Sequence, residues 1–462
     1  MTRPKLVPFR RARQPASPAG LTEDELATAF TNRHRDELRY VAAWGAWLRW
    51  RGSSWQRETT LEAFDMARAV CRDAAAGIMI PNLRAKILSA STRSAVENLA
   101  RADRAHAATT DQWDADSMEI GAPLTTCNLP TGTMRAPDAL DYITKLTAVA
   151  PADPGTDAPL WHAFLDRITD GDKDLQDYLQ RAAGYCLTGL ATEHVLFFCY
   201  GTGANGKSVF INTLVGILHD YAVTIGTDML MVSLGDRHPT EVARLRGVRL
   251  AVGSEIEVGR SWAESKLKQM TGGDKLQGRF MRQDFFEFTP QFKLLIAGNS
   301  KPSLRGVDEA IRRRLHLIPF TVTIPPEERD HELPDKLKAE WPAILRWAIE
   351  GCLLWQQHGL QPPQAVLAAT EGYLAGEDTF ALWRDECTTA DQNAWESSGD
   401  LWQSWKRWAD AAGEFVGTQK RFSQTLEDHG FVPERQPGTG KRGFRGARLN
   451  RHDYTDDPRH GS

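Results

Sequence analysis

Apolar and polar positions change their period several times along this chain, and each change predicts a change of structure. From about residue 21 to 110 the apolar positions recur at helical spacing. Glu37–Leu48 lays aromatic and aliphatic groups on one stripe, and Ala63–Cys71 and Ser94–Ala105 continue the helical pattern. Trp50-Arg-Gly-Ser-Ser-Trp55 predicts a small turn between short strands. Over 111–150, Gly121, Pro123, Pro130, Gly132 and Pro137 break the chain into strands and turns. Pro151-Ala-Asp-Pro-Gly155 predicts a linker, and Trp161–Leu190 is helical again. From 186 to 325 short apolar runs alternate with helical stretches, the pattern of an α/β core. Trp341–Gln357 returns to helix, followed by a break at Pro362-Pro363. The last segment carries helical stretches at Phe380–Cys387, Leu401–Ala412 and Gln419–His429, then a basic, glycine-rich stretch. The predicted division is a basic tail (1–20), a mainly helical region (21–185), the α/β core (186–325), a helical segment (326–375) and a small terminal domain (376–462).

The core opens with Val195-Leu-Phe-Phe-Cys-Tyr200, short and apolar as a buried strand should be. Gly201-Thr-Gly-Ala-Asn-Gly-Lys-Ser208 follows, a complete G-x-x-x-x-G-K-[ST] loop, and Val209–Leu218 then has helical spacing. Strand, glycine loop and helix bring backbone N–H groups and a helix N-terminus onto one anionic site. Gly201, Gly203, Ala204, Asn205, Gly206, Lys207, Ser208 and Val209 are therefore expected to bind the phosphates of ATP. Lys207 would reach the β/γ-phosphates, and Ser208 would coordinate Mg²⁺.

Such a loop requires an acidic partner. Val248–Glu257 supplies a strand ending in carboxylates. Glu255 is the expected metal-holding or water-activating residue, with Glu257 behind it. Lys293-Leu-Leu-Ile-Ala-Gly-Asn299 is another buried strand with a polar end, and Asn299 is placed to orient water or meet the γ-phosphate. Asp308–Phe320 carries Arg312, Arg313 and Arg314 between a helical start and an apolar strand. Arginine runs usually form a solvated surface. An arginine supplied by a neighbouring subunit can instead neutralise transition-state charge; Arg314 is the first candidate and Arg313 the second.

Composition narrows the setting. The 462 residues exceed a single core, and 41% hydrophobic with 25% charged residues is a globular composition. A net charge of -4 gives no global basic field, so nucleic-acid contact must come from local patches. The cysteines at 71, 127, 186, 199, 352 and 387 form no C-x-x-C pair, which fits reduced thiols in a cytoplasm rather than a zinc ribbon. No apolar run approaches the roughly 20 residues of a membrane span, so no membrane partner is expected. Arg10-Arg-Ala-Arg13 and its Pro/Ala-rich continuation read as a flexible tail.

Taken together and in this order, Gly201–Ser208, Ser254-Glu255, Thr271-Gly-Gly-Asp274, Phe285-Phe-Glu-Phe288, Ala297-Gly-Asn299 and Asp308–Leu315 resemble a superfamily 3 helicase, an AAA+-type motor. The narrower likeness is to the helicase half of phage and plasmid primase–helicases and of large DNA virus replication proteins. Asn128–Thr133, Asp141–Leu146, Tyr185 and Leu187-Thr-Gly189 are similar to the region preceding the ATPase in those proteins. The resemblance implies a P-loop AAA+-type ATPase core, a mainly helical N-terminal collar, a lid over 326–375 and a ring of six copies driven by ATP and Mg²⁺. It implies single-stranded or forked DNA as partner, with Lys275, Arg279 and Arg282 on a loop and hairpin that track the strand. The family's primase domain would lie further upstream, so priming is expected to fall to a separately encoded primase.

Thr418–Phe431 reads as a helix with a threonine start and a glycine stop, followed by Arg435, Lys441, Arg442, Arg445, Arg448 and Arg451. Helix and basic hairpin predict a small winged-helix-like domain with Lys441, Arg442 and Arg445 on phosphates. A disordered basic tail is the alternative, and Phe444 and Leu449 favour a folded wing. Trp402, Trp405 and Trp408 recur every three residues, as on a packed helix face. Asp111, Asp114 and Asp116 read as loop acids. Two other functions stay open: an ATP-switched DNA-binding initiator or defence module, and a small-molecule kinase using the same loop.

Overall fold

The computed structural model describes residues 21–232, 240–254, 260–280, 284–304, 307–436 and 439–450. The predicted tail, Glu255, Glu257, Arg282 and Arg451 lie outside them. The chain forms two compact units. The first comprises residues up to Asp116 together with 121–127 and 134–146; the second comprises 117–120, 128–133 and everything from Thr147 onward.

The first unit contains α1 (Glu23–His34), β1 (Leu38–Val41), β2 (Ala46–Trp50), β3 (Trp55–Arg57), α2 (Glu62–Ala76), α3 (Pro81–Ile87) and α4 (Ala90–Ala100). Thr22 caps α1 reciprocally with Glu25, satisfying N–H groups that a helix start leaves open. Leu26, Phe30, Leu38, Trp47, Ala67, Val70 and Val96 share one core. The expected helical stripe over Glu37–Leu48 is instead the antiparallel pair β1–β2. Gly45, left-handed at φ 58°, turns the chain. Tyr40 and Trp47 then face each other across the strands, ring centroids 5.1 Å apart. Cross-strand aromatic pairing outweighed the helical spacing. A second cluster joins Trp55, Trp113 and Tyr142. Asp114 accepts hydrogen bonds from the Thr144 backbone N–H (2.8 Å) and hydroxyl.

Short strands β4 (Glu119–Ala122), β5 (Thr125–Asn128) and β6 (Thr133–Arg135) precede the main body of the second unit. That body begins with α5 (Pro159–Thr169) and α6 (Lys173–Leu187), separated at Asp170-Gly171, where both residues are left-handed. Then come β7 (Leu196–Tyr200), α7 (Lys207–Leu218), β8 (Ala222–Gly226), α8 (Thr240–Ala243), β9 (Leu250–Ser254) and α9 (Glu264–Thr271). They are followed by β10 (Leu276–Gly278), β11 (Phe286–Phe288), β12 (Lys293–Gly298), α10 (Glu309–Arg312) and β13 (Leu315–Pro319). α11 (Leu333–Lys338), α12 (Trp341–His358) and α13 (Gln364–Glu377) complete it.

Five strands form one parallel sheet in the order β13-β7-β12-β9-β8. Parallel strands are covered on both faces, so they read as unbroken apolar runs, and Leu196–Cys199 is buried throughout. On one face Leu196 and Phe198 join Trp262, Leu267, Ile296 and Leu374. On the other, Phe197 packs on Tyr178 of α6, and Trp161 of α5 stacks on Phe210 of α7 at 5.7 Å. α5 and α6, read from sequence as part of the N-terminal region, thus pack with the sheet.

The C-terminal segment runs α14 (Thr379–Cys387), β14 (Thr388–Ser397), α15 (Ser398–Ala412), α16 (Gln419–Asp428), β15 (Val432–Arg435) and β16 (Arg442–Leu449). Its antiparallel sheet has the order β14-β16-β15. Phe380, Trp383, Leu401, Trp405, Phe422, Leu426 and Phe444 form its core, with Trp402, Trp408 and Leu449 packed against it. The tryptophan stripe is a packing face, and Arg442, Arg445 and Arg448 of the basic stretch lie on the folded strand β16. Among the described residues, no helix is long and apolar enough to cross a membrane.

Lys293 opens β12 at 2% exposure. Its ammonium donates to the carbonyls of Thr188, Leu190 and Gln291 and lies 4.8 Å from the Tyr185 ring centroid. Burial pushes its pKa down to about 7. Between that value and the ordinary lysine range near 10.5, the unfolded chain binds a proton that the folded chain does not, so stability rises with pH across this window. Chemical denaturation at pH 7.5 and 9.5 should show the native protein gaining at most about 1.4 kcal/mol per pH unit from this group. Lys293→Met should lose that gain; an unchanged pH dependence would contradict it.

Candidate functional site

The parallel register brings the carboxyl ends of three neighbouring strands together. Tyr200 of β7 stands beside Gly298 of β12, and β9, on the other side of β12, ends at Ser254. Ligands of open parallel sheets bind outside this edge. The glycine loop leaves β7 here and turns directly into α7. Its backbone is left-handed at Gly203 (φ 98°), Ala204 (φ 50°) and Gly206 (φ 82°), a route on which glycine is unstrained.

Gly201 approaches the neighbouring backbone closely: a β-carbon there would lie 2.0 Å from the Phe320 carbonyl oxygen. Asn205, buried, donates through Nδ2 to that oxygen at 2.8 Å. The Ala204 carbonyl accepts from the Ile324 N–H at 2.8 Å. The chain leaving β13 therefore braces the loop from one side. Ser208 and Ala204 are exposed and Val209 is half-buried.

Lys207 is 6% exposed. Its ammonium donates to the Gly201 carbonyl at 2.5 Å and to Asn299 Oδ1 at 3.2 Å. This contact joins two residues that the sequence reading placed in one site. Both acceptors are neutral, and burial lowers the lysine pKa. A buried charge ordinarily has an ionic partner. A phosphate group supplies one, and the N–H groups opening α7 would face the same anion. The loop thus fits a nucleoside triphosphate. Ser208 offers an exposed hydroxyl for Mg²⁺. Lys301, two residues beyond Asn299, lies 4.3 Å from the Tyr200 ring centroid.

The arginines sit at the other edge. Arg314 immediately precedes β13, and its carbonyl accepts from Leu196 N–H at the start of β7. A five-residue strand separates it from the loop edge, about 15 Å. The structure does not bring it to Lys207 within one chain. Its guanidinium, half-buried, donates to the Ala310 carbonyl (2.8 Å) and the Thr271 hydroxyl (3.2 Å). Arg312 pairs with Glu371 at 2.6 Å. Arg313 is exposed.

The predicted DNA-contacting cations divide similarly. Lys275 is exposed and 4.0 Å from Glu287, and Arg279 lies over the Phe285 ring at 4.6 Å. Lys441 and Arg442 are exposed. Arg445 is tied to Glu434 by bonds of 2.6 and 2.9 Å.

Residues 27–170 match the family described as D5 N terminal like, and residues 199–314 match a family of unknown function (DUF5906). A putative helicase of frog virus 3 is 28% identical over 273 residues, covering 54% of this chain and 28% of that protein. A putative helicase of Acanthamoeba polyphaga mimivirus is 27% identical over 271 residues, with the same coverage. One from the Sputnik virophage is 31% identical over 153 residues, covering 31% of this chain and 20% of its own. This chain resembles the superfamily 3 helicases of phage and viral primase–helicase type. The solved apo structure of the NrS-1 C-terminal region shares the fold, with a TM-score of 0.50 at 9% identity, covering 91% of this chain and 99% of that one. The match spans 28% of the length of each of the first two viral relatives.

The loop geometry makes a direct prediction. A β-carbon on Gly206 would meet Ile168 Cγ2 at 2.4 Å, whereas one on Gly203 meets nothing within 4 Å. Gly203→Ala should cost only its left-handed backbone, about 1–2 kcal/mol. Gly206→Ala should destabilise further, because packed Ile168 must shift. Equal losses on denaturation would contradict this placement of the loop.

Proposed function

We propose that this protein is an ATP-dependent DNA helicase that works as a homo-hexameric ring on single-stranded or forked DNA. The carrying observation is the meeting of Lys207 and Asn299 where β7, β12 and β9 end. The helicase names of the viral relatives support the same reading.

In this reading the second unit contains a P-loop AAA+-type core. Lys207 contacts the β/γ-phosphates after leaving the Gly201 carbonyl, and Asn299, released from Lys207, meets the γ-phosphate or the attacking water. Ser208 and Glu255 would hold Mg²⁺, which would supply charge neutralisation on the phosphates. Charge at the far side of the nucleotide comes from a neighbouring copy. Arg313 fits this task better than Arg314, because Arg314 is engaged within its own chain. Lys275 and Arg279 contact the DNA strand. The C-terminal order helix, strand, helix, helix, strand, strand supports a winged helix, with Lys441 and Arg442 on phosphates and Arg445 fixed by Glu434. The first unit serves as the collar, and the setting is cytoplasmic.

Strand displacement on a forked duplex tests the whole reading. The native protein should release the labelled strand only with ATP and Mg²⁺, and Lys207→Ala should release none. Displacement by the Lys207→Ala variant would overturn it.

The subunit arrangement has its own test. Arg313→Ala should bind ATP but hydrolyse it about 10³-fold more slowly. Mixing Arg313→Ala with Lys207→Ala should restore part of the hydrolysis, because one interface in the mixed ring joins an intact Lys207 to an intact Arg313. Mixtures as inactive as either variant would exclude Arg313 from that role.

A further inference from the structure

The β10–β11 hairpin carries more than cations. Its register pairs Leu276 with Phe288, Gln277 with Glu287 and Gly278 with Phe286. Alternation sends Leu276, Gly278 and Phe288 inward, and all three are buried. The hairpin lies so close to α8 that a β-carbon on Gly278 would meet Ala243 Cα at 2.8 Å. Arg246, just past α8, lies over the Phe286 ring at 5.5 Å. The base of the hairpin is therefore held firmly.

The outer face continues from Gln277 and Glu287 to Arg279 and Phe285. Phe285 is 56% exposed and Phe280 is 38% exposed. The Arg279 guanidinium covers one side of the Phe285 ring at 4.6 Å. Phe280 stacks on Phe286 with centroids 5.6 Å apart and planes 25° apart. Lys275 stands exposed nearer the base of the same hairpin. Exposed aromatic rings interleaved with cations beside a paired hairpin base match the chemistry of unpaired nucleotides: a flat apolar base beside an anionic phosphate. A protein partner would meet too small an apolar area here to compensate the cations it must desolvate.

We infer that Phe285, backed by Arg279, is a base-stacking step of this hairpin, so that the protein grips single strands by their bases as well as their phosphates. This rests on the hairpin being the nucleic-acid contact proposed above. The ring supplies affinity that needs a base but no particular base, while Lys275 supplies affinity that needs only a phosphate.

Equilibrium binding of the full chain to labelled oligothymidylate, and to an abasic backbone of equal length, separates these contributions. The native protein should prefer the oligothymidylate by about five- to one-hundred-fold. Phe285→Leu should bring oligothymidylate down to the abasic level and leave abasic binding unchanged; Phe285→Trp should keep the preference. Lys275→Ala should weaken both ligands equally and flatten the salt dependence. Loss with Lys275→Ala but no effect of Phe285→Leu would overturn base stacking and leave the hairpin as a phosphate contact. Indifference to both substitutions, or equal loss on both ligands with Phe285→Leu, would overturn the inference; the first of these would also remove the hairpin from the nucleic-acid surface.

Discussion

The ammonium of Lys207 is held out of water against two neutral oxygens, the Gly201 carbonyl and Asn299 Oδ1. This is costly unless an anion completes the site. The surrounding architecture serves that one constraint. The loop is left-handed where it must bend, Asn205 and Ala204 anchor it to the chain after β13, and α7 begins at Lys207 itself. Placing β12 between β7 and β9 sets Asn299 beside the loop and ends β9, at Ser254, on the same edge.

A parallel sheet also separates what it does not join. The glycine loop lies at the carboxyl ends of the strands, and the arginine run lies where β13 begins. The Arg314 guanidinium bonds to the Ala310 carbonyl and the Thr271 hydroxyl, away from the loop edge. The proposed use of both in one reaction rests on a second copy, with the arginine edge of one chain facing the loop edge of the next. Within the run, Arg312 and Arg314 are held by Glu371, Thr271 and the Ala310 carbonyl, which leaves Arg313 facing solvent.

The loop was legible because its chemistry is local: eight consecutive residues set the turn, the cation and the helix start. The apolar runs of β7 and β12 were legible because burial on both faces removes alternation. The pairing of Lys207 with Asn299 could be expected only from the order of motifs, since 92 positions separate them. At Glu37–Leu48 helical spacing misled, because a glycine turn and facing aromatic rings decide the conformation through cross-strand contact. The different engagement of Arg313 and Arg314 was not legible, as neighbouring arginines differ only in their tertiary partners. The same holds for Lys293, whose burial no local pattern announces, and for Phe285, an apolar residue exposed just before β11.

Steady-state ATP hydrolysis, measured with and without single-stranded DNA, tests the central claim most directly. The account predicts strong stimulation by DNA in the native protein and none with Lys207→Ala, since the loop and the strand-gripping surfaces belong to one motor. Hydrolysis that is robust but indifferent to DNA would contradict it, leaving a nucleotide site with no nucleic-acid task attached.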